Sequence, residues 1–117
     1  MTLVAPQPSP PAPTQAPTIG RVGDQTLLVL HGDHDSARLM ELRYAIAKAI
    51  SLDDRDLVVD LSDVGFICAG TIGTLVRTRA MLESMSRTCT FRSPSAHTQK
   101  ILAICGVEWS GSEPQAA

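Results

Sequence analysis

The five residues from His31 to Asp35 combine two imidazoles with two carboxylates, and this is the first stretch that could do chemistry. Such groups are typical metal ligands, but on a strand His31, Asp33 and Asp35 would share one side while His34 points to the other. The HxxxH and HExxH spacings do not occur. The sequence therefore predicts no metal and no cofactor. Asp33 and Asp35 form an acidic loop at a strand's carboxyl end, or simply stabilise the next helix.

A second stretch that could do chemistry has the sequence Cys68-Ala69-Gly70-Thr71-Ile72-Gly73. A thiol directly before a helix faces free backbone N–H groups, which favour the thiolate. A cysteine phosphatase would need an arginine six residues later, where Thr74 stands, and a phosphate-binding loop would need a lysine that is absent. Cys68 is either a redox-active thiol or a small packed side chain, and Cys89 and Cys105 are predicted to be core residues. No catalytic site is predicted.

The composition of the whole chain argues against several classes of partner. The 117 residues carry 10 basic and 12 acidic side chains, a net charge of −2, which disfavours binding to nucleic acid or to an anionic membrane. No apolar run approaches the roughly 18 residues of a membrane span. Three widely spaced cysteines form no disulfide framework, and the first residues lack the features of a secretory signal. We expect a soluble, cytoplasmic protein with reduced thiols.

Charge is divided unevenly along the chain. Residues 20–63 carry nine acids and five bases, a net charge of −4, whereas residues 64–107 carry one acid and five bases, a net charge of +4. A partner could meet one face of each sign, which would favour oriented docking. The alternative is that both faces are merely solvated.

Proline marks the boundary of a single predicted domain. Residues 1–18 contain six of the eight prolines and no charged side chain, so they are predicted to be a disordered tail. This tail is either a ligand for a partner's aromatic groove or a solubilising leader. Residues 110–117 are predicted to be disordered as well. The folded domain is expected to span residues 19–109.

Within the domain, apolar periodicity predicts seven elements in the order β-β-α-β-α-β-α. Strands are predicted at residues 19–22, 25–32, 57–61 and 88–92, with residues 63–71 as a loop. One helix is predicted to start at Ser36, a second follows the loop, and a third lies between Ser95 and Gly106. The predicted class is α/β, with helices covering a mixed sheet. The residues expected to face inward on the second and third helices are Ile72, Leu75, Val76, Ala80, Leu82, Thr98, Ile101, Leu102 and Cys105.

An ordered series of short motifs runs through the domain and resembles the STAS domain of bacterial anti-sigma factor antagonists. The resemblance covers roughly residues 19–107. Its pieces are Gly32-Asp33-His34-Asp35, Val58-Val59-Asp60-Leu61-Ser62, Phe66-Ile67, Ile72-Gly73-Thr74-Leu75-Val76, Ser93-Pro94-Ser95 and the ending Leu102-Ala103-Ile104-Cys105-Gly106-Val107. Each piece is weak by itself, and it is their order that makes the resemblance specific.

The resemblance implies a non-enzymatic regulator. Proteins of this kind bind an anti-sigma factor, usually an ATP-binding kinase, and so free the sigma factor. The kinase then phosphorylates a serine at the start of the second helix, adding about −1.5 to −2 charges and breaking the contact. On this chain the expected contact residues are Asp33, Asp35, Cys68, Ala69, Gly70, Thr71 and Ile72.

The chain departs from the family pattern at the phosphorylation site. Cys68 occupies the position of an aspartate and Ala69 that of the acceptor serine, so the family position has no hydroxyl to phosphorylate. Thr71 is the nearest hydroxyl, but two residues along a helix turn its side chain roughly 200° away. A role as a hydroxyl at the helix start is favoured over one as a displaced acceptor. The C-terminus is also short, without the family's usual final helix, so a partner or a second copy could cover that surface.

Three consequences of this departure remain open from the sequence. The domain could dock without being switched off, or it could be gated by oxidation of Cys68, where added polar bulk would stand at the same place. It could also have become a scaffold that only assembles complexes. A redox-sensing or ligand-binding module acting through Cys68 is the main alternative to an anti-sigma factor antagonist.

Overall fold

The sheet begins with a hairpin in the computed structural model, which describes residues 16–110. Strands β1 (Thr18–Val22) and β2 (Gln25–His34) pair antiparallel. They are joined through Gly23, whose φ of +56° is accessible to glycine at no steric cost. The hairpin predicted from Gly23-Asp24 is confirmed. The predicted disordered segments lie almost entirely outside the described residues, and the proposed domain limits remain predictions.

Two crossovers then extend the sheet in one direction. After a 3₁₀ turn at Ser36–Arg38 come α1 (Leu39–Leu52), β3 (Leu57–Ile67), α2 (Ala69–Ser84), β4 (Cys89–Arg92) and α3 (Ala96–Ile104). The strand order is β1-β2-β3-β4, with β3 parallel to both of its neighbours. The α/β class, the mixed sheet and the order β-β-α-β-α-β-α are therefore confirmed.

One face of the sheet carries the hydrophobic core. Alternate side chains from β2, β3 and β4 are buried there together with side chains from all three helices. Right-handed crossovers bring α1 and α2 to the same side of the sheet, and these two helices touch. Representative core residues are Leu28, Leu30, Val59, Leu61, Phe91, Leu42, Ile46, Leu75, Leu82 and Leu102. The core thus fixes the start of α2 against the carboxyl ends of β2 and β3.

Three local predictions are wrong. Residues 63–67, expected as loop, continue β3, because Val64 and Ile67 are buried and pair with β2 through two register irregularities. Ala80 is exposed, and α2 instead buries Thr74 and Thr78, whose hydroxyls donate to backbone carbonyls one turn earlier in the helix. Cys105 is exposed because it stands at the C-cap of α3, beyond the helix's buried face.

The described chain ends beside β4. Ser110 forms a parallel bridge with Arg92, in which its N–H donates to the Phe91 carbonyl at 2.8 Å and its carbonyl accepts from the Ser93 N–H at 2.9 Å. Trp109, immediately before it, packs against the core. Among residues 16–110 no helix has both the length and the apolarity needed to cross a membrane.

Candidate functional site

The acidic loop and the start of α2 meet at one backbone carbonyl. The carbonyl oxygen of His34, the last residue of β2, accepts the N–H of Cys68 at 3.0 Å and the hydroxyl of Thr71 at 3.1 Å. Parallel pairing aligns Asp33 with Phe66. The two stretches singled out in the sequence therefore form one surface, at the carboxyl ends of two parallel strands.

The exposed part of this surface consists of two carboxylates and two small residues. Asp33, Asp35, Ala69 and Gly70 are all exposed. Phe66, which the sequence analysis had not included, lies beside Asp33 and is 44% exposed. Aromatic rings are enriched in protein interfaces, so this ring could take part in a protein contact. We call Asp33, Asp35, Phe66, Ala69 and Gly70 the α2-start surface.

Two of the predicted contact residues lie beneath this surface. Thr71 and Ile72 are almost fully buried, so neither side chain can reach a partner in this conformation. The Thr71 hydroxyl donates to the His34 carbonyl and lies 3.3 Å from the Cys68 sulfur. The Thr71 hydroxyl thus links the start of α2 to the end of β2, and it is buried in this conformation.

Tight packing holds the backbone of the site in place. A Cβ added at Gly65 would lie 2.9 Å from the Asp33 Oδ1 atom, and one at Gly70 would lie 3.2 Å from the Leu39 Cδ1 atom. Hydrogen at these positions allows β3 to approach the acidic loop closely and α2 to approach the start of α1. The two glycines therefore permit the close packing of the backbone around the α2-start surface.

Arg38 braces the acidic loop from below, a role that the sequence analysis missed. Its Nη1 atom donates to the carbonyls of His31 at 2.8 Å and Asp33 at 3.1 Å, while its Nε atom pairs with Glu41 at 3.0 Å. Asp35 completes the loop as an N-cap, because its Oδ1 atom accepts the Ala37 N–H at 3.0 Å. The carboxylate of Asp33 is left on the surface.

Cys68 is the N-cap residue of α2 and is half-buried. Burial alone would raise the pKa of its thiol. The backbone N–H groups of Thr71 and Gly70, together with the neighbouring Thr71 side chain, outweigh burial, and the pKa of Cys68 falls below its ordinary value. Burial raises the pKa of Cys89, a core residue as predicted, to about 12. A redox role for Cys68 stays a prediction.

His34 is fully buried under the site, on the side opposite to Asp33 as strand alternation predicts. Neither ring nitrogen has a hydrogen-bond partner among the described residues. Burial, followed by the positive charge of Arg38, lowers the pKa of His34 to about 4, against the opposing influence of Glu41 and Asp35. The imidazole is therefore neutral at pH 7.

Two further polar groups lie on the sheet and have structural roles. Asp60 accepts hydrogen bonds from the Ser62 N–H at 2.9 Å, the Ser62 hydroxyl at 2.6 Å and the Arg92 Nε atom at 2.9 Å. Burial alone would raise the pKa of Asp60, but these hydrogen bonds hold it below its usual value. The Asp and Ser of the Val58–Ser62 motif thus tie β3 to β4.

The second group has the residue types of a hydrolase triad. His31 Nδ1 lies 2.7 Å from the Asp63 carboxylate and His31 Nε2 lies 3.2 Å from the Thr18 hydroxyl. Thr18 is exposed, and none of the three residues lines the cavity beside Phe91 and Trp109 or the groove beside Tyr44 and Leu52. These three residues join β1, β2 and β3. Within residues 16–110, no group of three or more His, Cys, Asp or Glu side chains is placed to hold a metal ion.

Comparison with known proteins agrees with this architecture. A family model described as "Mlab, STAS domain" matches residues 18–109, which is most of the chain. The chain belongs to the STAS-domain family. No curated protein matches its sequence.

Solved structures that resemble this STAS domain are described as anti-sigma factor antagonists. Unphosphorylated SpoIIAA aligns with a TM-score of 0.65 and 16% identity, over 86% of this chain and 92% of that one. The phosphorylated form of SpoIIAA, from Bacillus, aligns with the same score and identity, over 86% and 94%. A protein of Thermotoga maritima described as a putative anti-sigma factor antagonist aligns at 0.71 and 15%, over 85% and 89%. At these identities the likeness concerns the fold.

Proposed function

We propose that this STAS domain is a non-enzymatic regulator that binds an anti-sigma factor and so relieves the sequestration of a sigma factor. The observation that carries the proposal is the α2-start surface, in which an exposed helix start lies beside two exposed carboxylates and a half-exposed ring. The structural neighbours are described as anti-sigma factor antagonists, which supports the same function. The proposed partner is an ATP-binding anti-sigma factor of the kinase type, in the cytoplasm, and no cofactor is required.

The shape and charge of the α2-start surface suit such a partner. Ala69 and Gly70 present little more than backbone, so a partner can approach the end of the helix closely. Asp33 and Asp35 add negative charge at one border, which calls for basic side chains on the partner. Phe66 offers an apolar anchor of the kind found at the centre of protein interfaces.

The proposed docking is constitutive with respect to phosphorylation. Ala69, at the position that the resemblance assigns to the acceptor serine, is exposed but has no hydroxyl. Thr71 is buried with its hydroxyl donated to the His34 carbonyl. A kinase-type partner would therefore find no acceptor on the surface that it contacts.

A binding measurement with a matched pair of variants tests the proposal. Kinase-type anti-sigma factors encoded in the genome of the source organism would each be titrated with the purified domain by calorimetry. We expect one of them to bind, and Ala69→Asp to weaken binding at least tenfold, because the added carboxylate stands where phosphate would. Ala80→Asp places the same charge on an exposed position further along α2 and should leave the affinity unchanged. Equal weakening by both variants, or binding to none of the candidates, would contradict the proposal.

A second candidate function is a thiol-based sensor, favoured by the lowered pKa of Cys68 at the helix start. The thiolate would attack one oxygen of a peroxide, forming an S–O bond as the O–O bond breaks. The thiolate becomes a sulfenic acid, and the departing oxygen leaves as water or alcohol after protonation. Oxidation would place an oxygen beside Ala69 and Gly70.

The sensor is tested by measuring partner binding with and without peroxide. We expect peroxide to weaken binding of the native domain and to leave Cys68→Ser unaffected, with Cys105→Ser as the control for the other thiol that is exposed. If native binding does not respond to peroxide, the sensor function is excluded while antagonist function stands.

A further inference from the structure

A cavity of about 560 Å³ lies between the edge of β4, the last turns of α2 and the segment that follows α3. Its walls include Arg79 and Glu83 from α2, Phe91 from β4, and Glu108 and Trp109 from that segment. The volume falls within the range of small-molecule sites. The cavity shares no residue with the α2-start surface and lies towards the other end of α2, so it calls for an explanation of its own.

Arg79 brings an unpaired positive charge to this cavity. The side chain is half-buried, and its guanidinium carbon lies 5.0 Å from the centroid of the Phe91 ring. Within residues 16–110 the guanidinium forms neither an ion pair nor a hydrogen bond. Stacking over the ring leaves its N–H donors free, and their geometry suits a carboxylate. Arg79 is therefore placed to hold an acidic group that enters the cavity.

The edge of β4 adds a backbone donor on the same side. Thr88 and every second residue after it turn their backbone groups towards β3, as the bond from the Leu57 N–H to the Thr88 carbonyl at 2.9 Å shows. Phe91 faces the other way, since its carbonyl accepts the Ser110 N–H. Within residues 16–110 no backbone bond uses the Phe91 N–H on that side. This N–H is therefore available to a ligand.

We propose that the cavity binds a free α-amino acid with an aromatic side chain. Its carboxylate would pair with Arg79 and accept the Phe91 N–H, and its ring would pack on the half-buried Trp109. Glu83 and Glu108, both exposed at the rim, would attract its ammonium group. One cation and two carboxylates disfavour a simple anion, whereas a zwitterion meets charges of both signs.

Trp109 is the chain's only tryptophan, so its fluorescence reports directly on the cavity. The full chain would be titrated with L-phenylalanine, which does not absorb where tryptophan is excited. Equilibrium dialysis with labelled phenylalanine would detect any binding that leaves the fluorescence unchanged. We expect saturable binding, and roughly tenfold weaker binding of L-phenylalaninamide, which has no carboxylate, and of N-acetyl-L-phenylalanine, which has no ammonium group.

A matched pair of variants assigns the carboxylate to Arg79. Arg79→Gln should weaken phenylalanine roughly tenfold and leave phenylalaninamide unchanged, because only the former has a charge to lose a partner. Arg77→Gln removes the same charge from an exposed position on α2 and should change neither affinity.

Three results would overturn the proposal. The first is no binding of phenylalanine by either method, and the second is equal affinity for phenylalanine and its amide. Both use the native protein, so they hold whether or not the Arg79 variant folds. The third is equal weakening of phenylalanine binding by Arg79→Gln and Arg77→Gln.

Discussion

Two aspartates of the same domain, Asp33 and Asp60, have opposite roles that their surroundings explain. Asp60 is buried and accepts three hydrogen bonds from Ser62 and Arg92. The side chain of Asp33 is exposed, and Arg38 donates a hydrogen bond to the backbone carbonyl of Asp33. Saturated, buried polar groups stabilise a fold, whereas an exposed carboxylate on a braced loop is available to a partner. The comparison separates a structural aspartate, Asp60, from Asp33, which we propose for recognition.

The largest effect is expected for Asp60→Ala. Removing the buried carboxylate leaves Ser62 and Arg92 without their partner, which should lower the free energy of unfolding by about 3 kcal/mol. Asp33→Ala should change it by less than about 0.5 kcal/mol, because its side chain is exposed. Urea denaturation of the two variants and of the native protein measures both changes in the free energy of unfolding. Similar losses in the two variants would remove the distinction between them.

The next largest expected effect is the change in stability with pH that is caused by His34. Its pKa is about 4 in the folded state and 6.5 in its ordinary state, so the unfolded chain binds the extra proton first. The contribution of His34 should therefore be fully present above about pH 7 and fall by about 3 kcal/mol towards pH 4. The lowered pKa of Asp60 acts only below pH 3.8, and its contribution is lost there.

His34→Leu isolates this contribution. The variant removes the titrating ring and its two unpaired nitrogens, so its stability should vary less between pH 7 and pH 4 than that of the native protein. Denaturation midpoints at a series of pH values provide the test. An unchanged slope in the leucine variant would mean that another group causes the pH dependence.

A smaller effect on the free energy of unfolding is expected at Asp35, which caps a helical turn and is also a proposed contact residue. Asp35→Ala removes the N-cap bond to the Ala37 N–H and should cost about 1 kcal/mol. Asp35→Asn keeps an acceptor for the cap but removes the charge, so it should retain most of the stability while weakening binding to a basic partner. Parallel measurements of unfolding and of affinity separate the two roles. The assignment fails if the asparagine variant binds as well as the native protein.

Local sequence patterns predict the order of the helices and strands but not the residues at which the strands end. The Gly23 turn, the Ser95 N-cap and the Gly106 ending are encoded by single residues, and each stands where it was predicted. The extension of β3 to Ile67 depends on irregular pairing with β2, which its own residues do not specify. The order of the elements could therefore be predicted from the sequence, whereas the length of β3 could not.

For the candidate site, the sequence identified the two stretches, residues 31–35 and 68–73, but did not predict which of their side chains are buried. Thr71 and Phe66 show this most clearly, because the threonine is buried while the aromatic ring is half exposed. Strand and helix periodicity assigns a side chain to a face, but which face is covered depends on tertiary packing, such as that of Leu39 against Gly70. The bracing by Arg38 joins the start of α1 to two backbone carbonyls, a contact for which the sequence has no signal.

The central claim is that the α2-start surface engages a kinase-type anti-sigma factor without being switched off. The most direct measurement mixes the cognate complex with labelled ATP and follows both phosphate incorporation and binding, for the native domain and for Ala69→Ser. The account predicts no incorporation and persistent binding for the native domain, and incorporation followed by release for the serine variant. Phosphorylation and release of the native domain would contradict it.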